Sequence, residues 1–199
     1  MNTKSRLIAI LLALNLYASV GTHVYAQPMA TETATTPSSS QTQFDLGLLY
    51  YGGDNFPQNF VKARTLFELA AAQNHAEAQY MLGLMYLNGE GVAQSFSQAL
   101  PWLEKAAEQG HASAQYNAAI LYDMGDGTEQ DLHKAFELYT KAAEQNFPGA
   151  LFNLATMYAK GEVVQQDLKR AQDLFLKACE QDVASGCQEY ERLLLNTEN

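Results

Sequence analysis

The sequence has few cysteines, few basic residues and no apolar run long enough to cross a membrane. Cys179 and Cys187 are the only cysteines among 199 residues, and they lack the CxxC spacing typical of redox sites. The apolar run from Leu7 to Leu16 is shorter than the roughly 20 residues of a transmembrane helix. Twelve Lys and Arg stand against 22 Asp and Glu. An acidic chain repels phosphate backbones, which argues against nucleic acid as a partner.

The first 26 residues have the features of a secretory signal peptide. Lys4 and Arg6 precede the apolar run, and Val24-Tyr25-Ala26 suits cleavage after a small residue. No cysteine lies near the cleavage point, which argues against a lipoprotein anchor. We therefore predict a periplasmic or secreted protein with no membrane anchor after cleavage. Cleavage takes the net charge from −10 to −12, since it removes two cations and no acid. An uncleaved N-terminal anchor is the alternative.

Residues 27–43, QPMATETATTPSSSQTQ, are rich in Thr, Ser and Pro and nearly without apolar side chains. Such a segment cannot bury enough surface to offset the entropy lost on ordering. We predict a disordered linker between the signal peptide and a folded domain.

From residue 44 the chain repeats itself every 36 residues without insertion. A period of this size predicts a solenoid of small supersecondary units, here with repeats at 44–75, 76–111, 112–147 and 148–183. The residues in register are Tyr50, Tyr86, Tyr122 and Tyr158; Gly53, Gly89, Gly125 and Gly161; Ala63, Ala99, Ala135 and Ala171; and Ala70, Ala106, Ala142 and Ala178.

Each repeat is predicted to form two helices, which makes the fold all-α. Ala78, Leu82, Met85 and Tyr86 recur at helical spacing in the first helix of the second repeat, and a glycine ends that helix. The second helices start after good N-caps and stop at residues that tolerate left-handed backbone. The predicted N-caps are Asn59, Ser95, Asp131 and Asp167, and the predicted stops are Asn74, Gly110, Asn146 and Asp182.

Two features interrupt or end this regular pattern. Pro101 lies inside the second helix of the second repeat and is expected to kink the helix or delay its start. Residues 184–199 resemble one more first helix, with Tyr190, Leu193 and Leu194 on its apolar side. We predict that this segment is a capping helix with a polar outer face.

The stretch AEAQYMLGLMYLNGEGV…ALPWLEKAAEQGH, residues 76–111, resembles the Sel-one-like repeat (SLR), a relative of the tetratricopeptide repeat. The resemblance covers nearly all of residues 40–199. The first repeat departs from the usual Gly-x-Gly turn with YGGDN, and the fourth has Gly161-Glu162-Val163, without the second glycine. SLR proteins are mostly adaptors that bind other proteins, so the resemblance implies a protein or peptide partner and no cofactor.

The resemblance also bears on the two cysteines. A secreted, cysteine-rich branch of the family places one Cys near the end of a repeat and another eight residues later. Cys179 and Cys187 have that spacing, so the resemblance implies a disulfide between the last repeat and the capping helix. An exported chain meets an oxidising compartment, which agrees with a structural disulfide.

Some cysteine-rich relatives have been described as β-lactamases or penicillin binders, so a β-lactam- or cell-wall-directed hydrolase is the alternative function. The usual constellations for such chemistry are missing. No serine is followed by Lys three residues later, and G-x-S-x-G, H-E-x-x-H and G-K-[ST] do not occur. These absences favour a non-enzymatic protein without catalytic residues.

Metal binding is also disfavoured. His75 and His111 occupy one repeat position, which Phe147 and Val183 fill elsewhere, so packing explains that position better than metal ligation. The acidic loop that contains Asp123 lacks the order of ligands and glycine of an EF-hand. It is interpreted as a solvated loop rather than a Ca²⁺ site, as are its other acids, Asp126, Glu129 and Asp131.

A surface groove is the remaining candidate site. In SLR arrays the first helices line a concave groove, and one stripe of each first helix is predicted to face it. The aromatic row Phe44, Tyr80, Tyr116 and Phe152 is uniform and is interpreted as packing between repeats. Asn117 and Asn153 could bind an extended peptide backbone through their amides. The candidate groove residues are Tyr80, Met81, Leu84, Tyr116, Asn117, Ile120, Asp123, Asn153 and Thr156, flanked by Leu87 and Ala159.

The sequence therefore predicts an exported α-solenoid of four SLR units that binds a protein or peptide in this groove. The alternatives are the hydrolase described above and an inert spacer with no partner.

Overall fold

The computed structural model describes residues 39–53 and 57–197. The predicted signal peptide and the first part of the predicted linker, residues 27–38, lie outside the described residues. Within the described ranges the chain forms nine helices and no strand: α1 (Ser40–Gly52), α2 (Phe60–Ala72), α3 (Ala76–Asn88), α4 (Phe96–Glu108), α5 (Ala112–Met124), α6 (Leu132–Glu144), α7 (Pro148–Lys160), α8 (Leu168–Cys179) and α9 (Ala184–Thr197).

The helices pack as four hairpins in chain order. Each first helix (α1, α3, α5, α7) contacts the second helix of its own repeat, and each second helix (α2, α4, α6) contacts the first helix of the next. The last second helix, α8, contacts α9 in the same way. This arrangement confirms the predicted all-α solenoid of four repeats with a further C-terminal helix.

The helix boundaries follow from local hydrogen bonds. Asn59, Ser95, Asp131 and Asp167 each accept the backbone N–H three residues on, at distances of 2.9 to 3.3 Å, as predicted for N-caps. Asn74, Gly110, Asn146 and Asp182 have φ values of 61°, 87°, 58° and 64°. The four predicted stops therefore all adopt the left-handed conformation.

The first helix starts earlier than predicted. Residues 40–43 belong to the linker predicted from composition, whereas α1 begins at Ser40. Ser39 caps this helix by accepting the N–H of Thr42. The buried Gln43 then accepts a hydrogen bond at 2.8 Å from Gln73, the residue that follows α2. The polar composition of residues 40–43 did not indicate a helix, because only the folded structure shows that Gln43 is buried with a hydrogen-bond partner.

Pro101 does not delay the start of its helix. Helix α4 runs from Phe96 to Glu108 with Pro101 inside it. Both Pro101 and Ser97, whose carbonyl loses its usual donor, are exposed. The missing hydrogen bond therefore lies on the exposed side of α4 and outside the core, where the proline is tolerated.

A ladder of buried glutamines links successive repeats. Gln43, Gln79 and Gln115 stand in register and are at most 5% exposed. Each accepts a hydrogen bond from the glutamine thirty residues later (Gln73, Gln109 and Gln145) at 2.6 to 2.8 Å. Gln79 and Gln115 also donate to the carbonyls of Ala71 and Ala107, eight residues back. The ladder satisfies polar groups where first helices meet the C-terminal ends of second helices, both within a repeat and between repeats.

The C-terminal helix is linked covalently to the last repeat. A disulfide joins Cys179, the last residue of α8, to Cys187 in α9, which confirms the pairing implied by the resemblance. Leu193 of α9 is 5% exposed, and Tyr190 packs against the same core. Helix α9 therefore covers the apolar side of α8. In the described part of the chain no helix is long and apolar enough to cross a membrane.

Candidate functional site in the groove of the first helices

The aromatic row of the predicted groove packs between neighbouring repeats. Phe44 contacts the His75 ring at 4.7 Å between ring centroids, and Tyr80 contacts the His111 ring at 4.3 Å. Tyr116 contacts Phe147 at 4.8 Å. In each pair the aromatic side chain meets the residue that precedes the next first helix. These contacts agree with the interpretation of the row as packing.

The two histidines of this position are helix caps. The Nδ1 atoms of His75 and His111 accept the backbone N–H groups of Ala78 and Ala114 at 3.3 and 3.2 Å. The Nε2 atom of His111 lies 3.1 Å from Glu77. Each ring therefore both caps a helix and packs on an aromatic ring. Among the described residues, no group of three or more His, Cys, Asp or Glu side chains could hold a metal ion.

The groove changes character along its length. Met81 and Leu84 of α3 are half-buried apolar residues. Their counterparts in α5 are Asn117 and Ile120, and those in α7 are Asn153 and Thr156, all half-buried as well. The stripe is thus apolar in the second repeat and becomes polar towards the fourth.

Three of the predicted groove residues meet in one pocket. Asp123 of α5 faces Asn153 and Thr156 of α7 across a pocket with a volume of about 70 Å³. The other lining residues are Leu132, Met157, Lys160, Glu162 and Val163. The remaining predicted groove residues, Tyr80, Met81, Leu84, Tyr116, Asn117 and Ile120, do not line this pocket.

Tyr139 is a site residue that the sequence analysis missed. This α6 side chain is 1% exposed, and its hydroxyl donates to Oδ2 of Asp123 at 3.3 Å. Burial raises the pKa of Tyr139, as does the negative charge of Asp123, while a hydrogen bond from the Asn153 side chain lowers it. The repeat alignment contains a signal for Tyr139, because the equivalent residues Phe67, Leu103 and Phe175 have no hydroxyl.

The pocket lies where the fourth repeat departs from the repeat pattern. In the second and third repeats the turn glycines Gly91 and Gly127 pack directly against the backbone at the start of the preceding second helix. The fourth repeat has Val163 at this position, opposite Leu132, and both side chains line the pocket. A side chain at residue 163 prevents the close backbone approach made by glycine, which leaves space between α5 and α7.

Tyr139→Phe is expected to reduce the loss of stability at alkaline pH. A tyrosine whose pKa is raised by folding stabilises the native state fully below pH 10, and that contribution is lost as pH rises towards the folded pKa. Phenylalanine cannot ionise, so the melting temperature of the variant should fall less steeply between about pH 9.5 and 11. Thermal unfolding at a series of pH values measures this. Parallel declines in the two proteins would contradict the assignment.

A scan against protein-family models matches four Sel1 repeats, at residues 40–75, 76–111, 112–147 and 148–183. The chain is a Sel1-repeat protein. Sel1-repeat proteins are generally non-enzymatic scaffolds that typically mediate protein–protein interaction, and no comparison supports the hydrolase alternative specifically.

Solved Sel1-repeat structures resemble the described chain. A protective antigen of uropathogenic Escherichia coli with an SLR fold is 34% identical, with a TM-score of 0.72 over 75% of this chain and 32% of its own length. A Sel1-repeat protein from Oxalobacter formigenes is 32% identical, with a TM-score of 0.68 over 71% of this chain and 58% of its own. The chain therefore spans about a third and somewhat over half of these relatives.

Helicobacter pylori cysteine rich protein B shares the fold. It is 23% identical, with a TM-score of 0.52 over 69% of this chain and 98% of its own. A search of curated protein sequences found no match.

Proposed function

We propose that this Sel1-repeat protein is exported and binds a protein or peptide partner in the groove of its first helices. The observation that carries the proposal is the contrast between two sets of positions. Packing positions such as Ala78, Ala114 and Ala150 keep the same residue and are fully buried. Groove positions such as Leu84, Ile120 and Thr156 change from repeat to repeat and stay partly accessible. Variation along an accessible stripe is typical of a recognition surface on a repeat scaffold.

Two features support export to the periplasm or the medium. The first 26 residues have the pattern of a signal peptide. The Cys179–Cys187 disulfide is of the kind that persists in oxidising compartments and is rare in the cytosol. Cleavage of this signal peptide would leave a chain with a net charge of −12. Such a charge favours neutral or basic partners and disfavours nucleic acid.

The double substitution Asn117→Ala with Asn153→Ala is expected to weaken partner binding by on the order of tenfold. Each amide can make one hydrogen bond to a peptide backbone, worth about 0.5–1.5 kcal/mol. The variant should keep its helicity and nearly all of its stability, since both asparagines are partly accessible polar residues. The measurement is cross-linking capture from the native host, identification of the partner by mass spectrometry, and titration with that purified partner.

Lys141→Ala provides the matched control. Lys141 is exposed on the second helix α6, and its loss should change neither stability nor binding. If Lys141→Ala abolishes binding while the double variant binds normally, the outer face is the binding surface. Capture of no partner by the unaltered protein would favour the inert spacer.

A further inference from the structure

We propose that the pocket between α5 and α7 binds a primary ammonium group, carried by a lysine side chain or by the amino terminus of a peptide. This inference rests on the proposed function, because the pocket is part of the groove. It names the chemical group that the polar end of the groove recognises.

The hydrogen bonds around the pocket leave acceptor atoms available to a ligand. The Thr156 hydroxyl donates to the carbonyl oxygen of Phe152 at 3.0 Å, so only its lone pairs remain for a ligand. The Tyr139 hydroxyl donates to Asp123, which leaves that carboxylate as an acceptor with further lone pairs. The side-chain amide of Asn153 also carries an oxygen that can accept a hydrogen bond from a ligand. The polar groups of these three lining residues therefore offer acceptors.

The charge of the pocket lining favours a cationic ligand. The Lys160 ammonium lies 3.8 Å from the Glu162 carboxylate, so these two lining residues largely neutralise each other. Within the described residues no Lys, Arg or His nitrogen lies within ion-pair distance of Asp123. Asp126 and Glu129, in the loop that follows α5, add further negative charge. The pocket thus carries one uncompensated negative charge among acceptors, an environment that favours a cationic donor.

The size of the pocket suits an ammonium group. A volume of about 70 Å³ accommodates a compact ammonium group with its terminal methylene. An ammonium group presents three rotatable donors to separate acceptors, whereas the guanidinium group of arginine is larger, planar and suited to bidentate pairing. Three acceptors on two helices match the ammonium group better.

The combination of polar residues around the pocket occurs at the junction of the third and fourth repeats. At the junction of the second and third repeats the positions of Asp123 and Tyr139 hold Leu87 and Leu103. The positions of Asn153 and Thr156 there hold Asn117 and Ile120. The core needs no hydroxyl at the Tyr139 position, because phenylalanine or leucine fills it elsewhere. The polar groups therefore converge only where the pocket lies, which indicates a ligand-binding role rather than a packing role.

The test is a titration of the exported, oxidised full chain, labelled with ¹⁵N and observed by NMR, with Nα-acetyl-lysine methylamide. We expect saturable shifts of the Asn153 side-chain amide and the Thr156 backbone amide, with a dissociation constant in the millimolar range. Nα,Nε-diacetyl-lysine methylamide has the same stem without the charge and should not bind. Glycylglycinamide presents a free amino terminus, and comparison of the two amines identifies which source of the ammonium group binds more tightly.

Two variants and one control make the outcome decisive. Asp123→Asn should weaken binding of the tighter amine at least about tenfold, because a charged hydrogen bond is lost. Thr156→Val, which keeps the side-chain shape, should weaken it several-fold. Asp126→Asn removes the same charge three residues further along the chain, at a residue that does not line the pocket, and should change binding less than twofold. The NMR spectrum of each variant reports its folding.

The proposal is overturned if neither amine shifts the pocket resonances, or if Asp123→Asn and Asp126→Asn have equal effects. Equal binding of the diacetylated compound would also overturn it. The titration needs no partner protein. It can therefore fail while partner capture by the groove succeeds, and it can succeed while capture fails.

Discussion

Replacing Gly127 by alanine is expected to lower the free energy of unfolding by about 3 kcal/mol or more. Gly127 has φ of 73°, and an added Cβ would lie 2.5 Å from the carbonyl carbon of Phe96 and closer still to the amide nitrogen of Ser97. The left-handed backbone costs a non-glycine residue roughly 1–2 kcal/mol. The overlap is with backbone atoms of α4, which cannot move aside without shifting the helix, and overpacking adds about 1–3 kcal/mol. Urea denaturation followed by circular dichroism measures the loss.

Gly110→Ala separates the two contributions. Gly110 has φ of 87°, and no heavy atom lies within 4 Å of the position that an added Cβ would take. This variant should therefore lose only the backbone term, about 1–2 kcal/mol. Equal losses in the two variants would show that the contact between the turn and α4 contributes little.

The fold could be predicted from the sequence because the repeat supplies several independent copies of each signal. Asn59, Ser95, Asp131 and Asp167 differ in type but share one capping geometry, so one register predicts four helix starts. The left-handed stops at Asn74, Gly110, Asn146 and Asp182 follow in the same way. Local backbone chemistry and a fixed period are sufficient to place these helices.

The pocket is only partly predictable from the sequence. Helical spacing places Asp123, Asn153 and Thr156 on the face of the first helices that forms the groove. Spacing does not reveal that a buried hydroxyl lies beneath that face, so it gives no reason to select Tyr139. The glutamine ladder escapes prediction for a related reason. Gln79 and Gln115 are polar, and only tertiary contacts show that their amides are satisfied inside the array.

The register explains why cysteines occur only at the end of the array. Cys187 occupies the position of Gln79 and Gln115, and Cys179 that of Ala71 and Ala107. In the second and third repeats the glutamine donates to the carbonyl of the alanine eight residues back, whereas the fourth repeat has Leu151 at this position. At the last junction the same two positions are joined by a disulfide. Helix α9 has no following repeat described beside it, so a covalent link replaces a hydrogen bond where packing partners are fewest.

Removal of this link by Cys179→Ser with Cys187→Ser is expected to destabilise α9 locally. Closure of a loop with a sequence separation of eight is worth about 2.5 kcal/mol in the chain-entropy model. Opening of α9 should then become on the order of 50- to 100-fold more frequent. Hydrogen exchange should accelerate by that factor at amides within α9, whereas the melting temperature should fall only slightly, because solenoid stability is nearly a sum of neighbouring terms.

Helix α3 supplies an internal control, since the third and fourth repeats separate it from α9 along the array. Its amides should exchange at the same rate in the variant and in the unaltered protein, and reduction of the unaltered protein should reproduce the effect on α9. Equal acceleration in α3 and α9 would mean that the disulfide stabilises the array as a whole. Free-thiol counting on protein exported under oxidising conditions tests the bond itself. Two reactive thiols per chain would show that Cys179 and Cys187 are unpaired in the exported protein, and the local stabilisation of α9 would then need another cause.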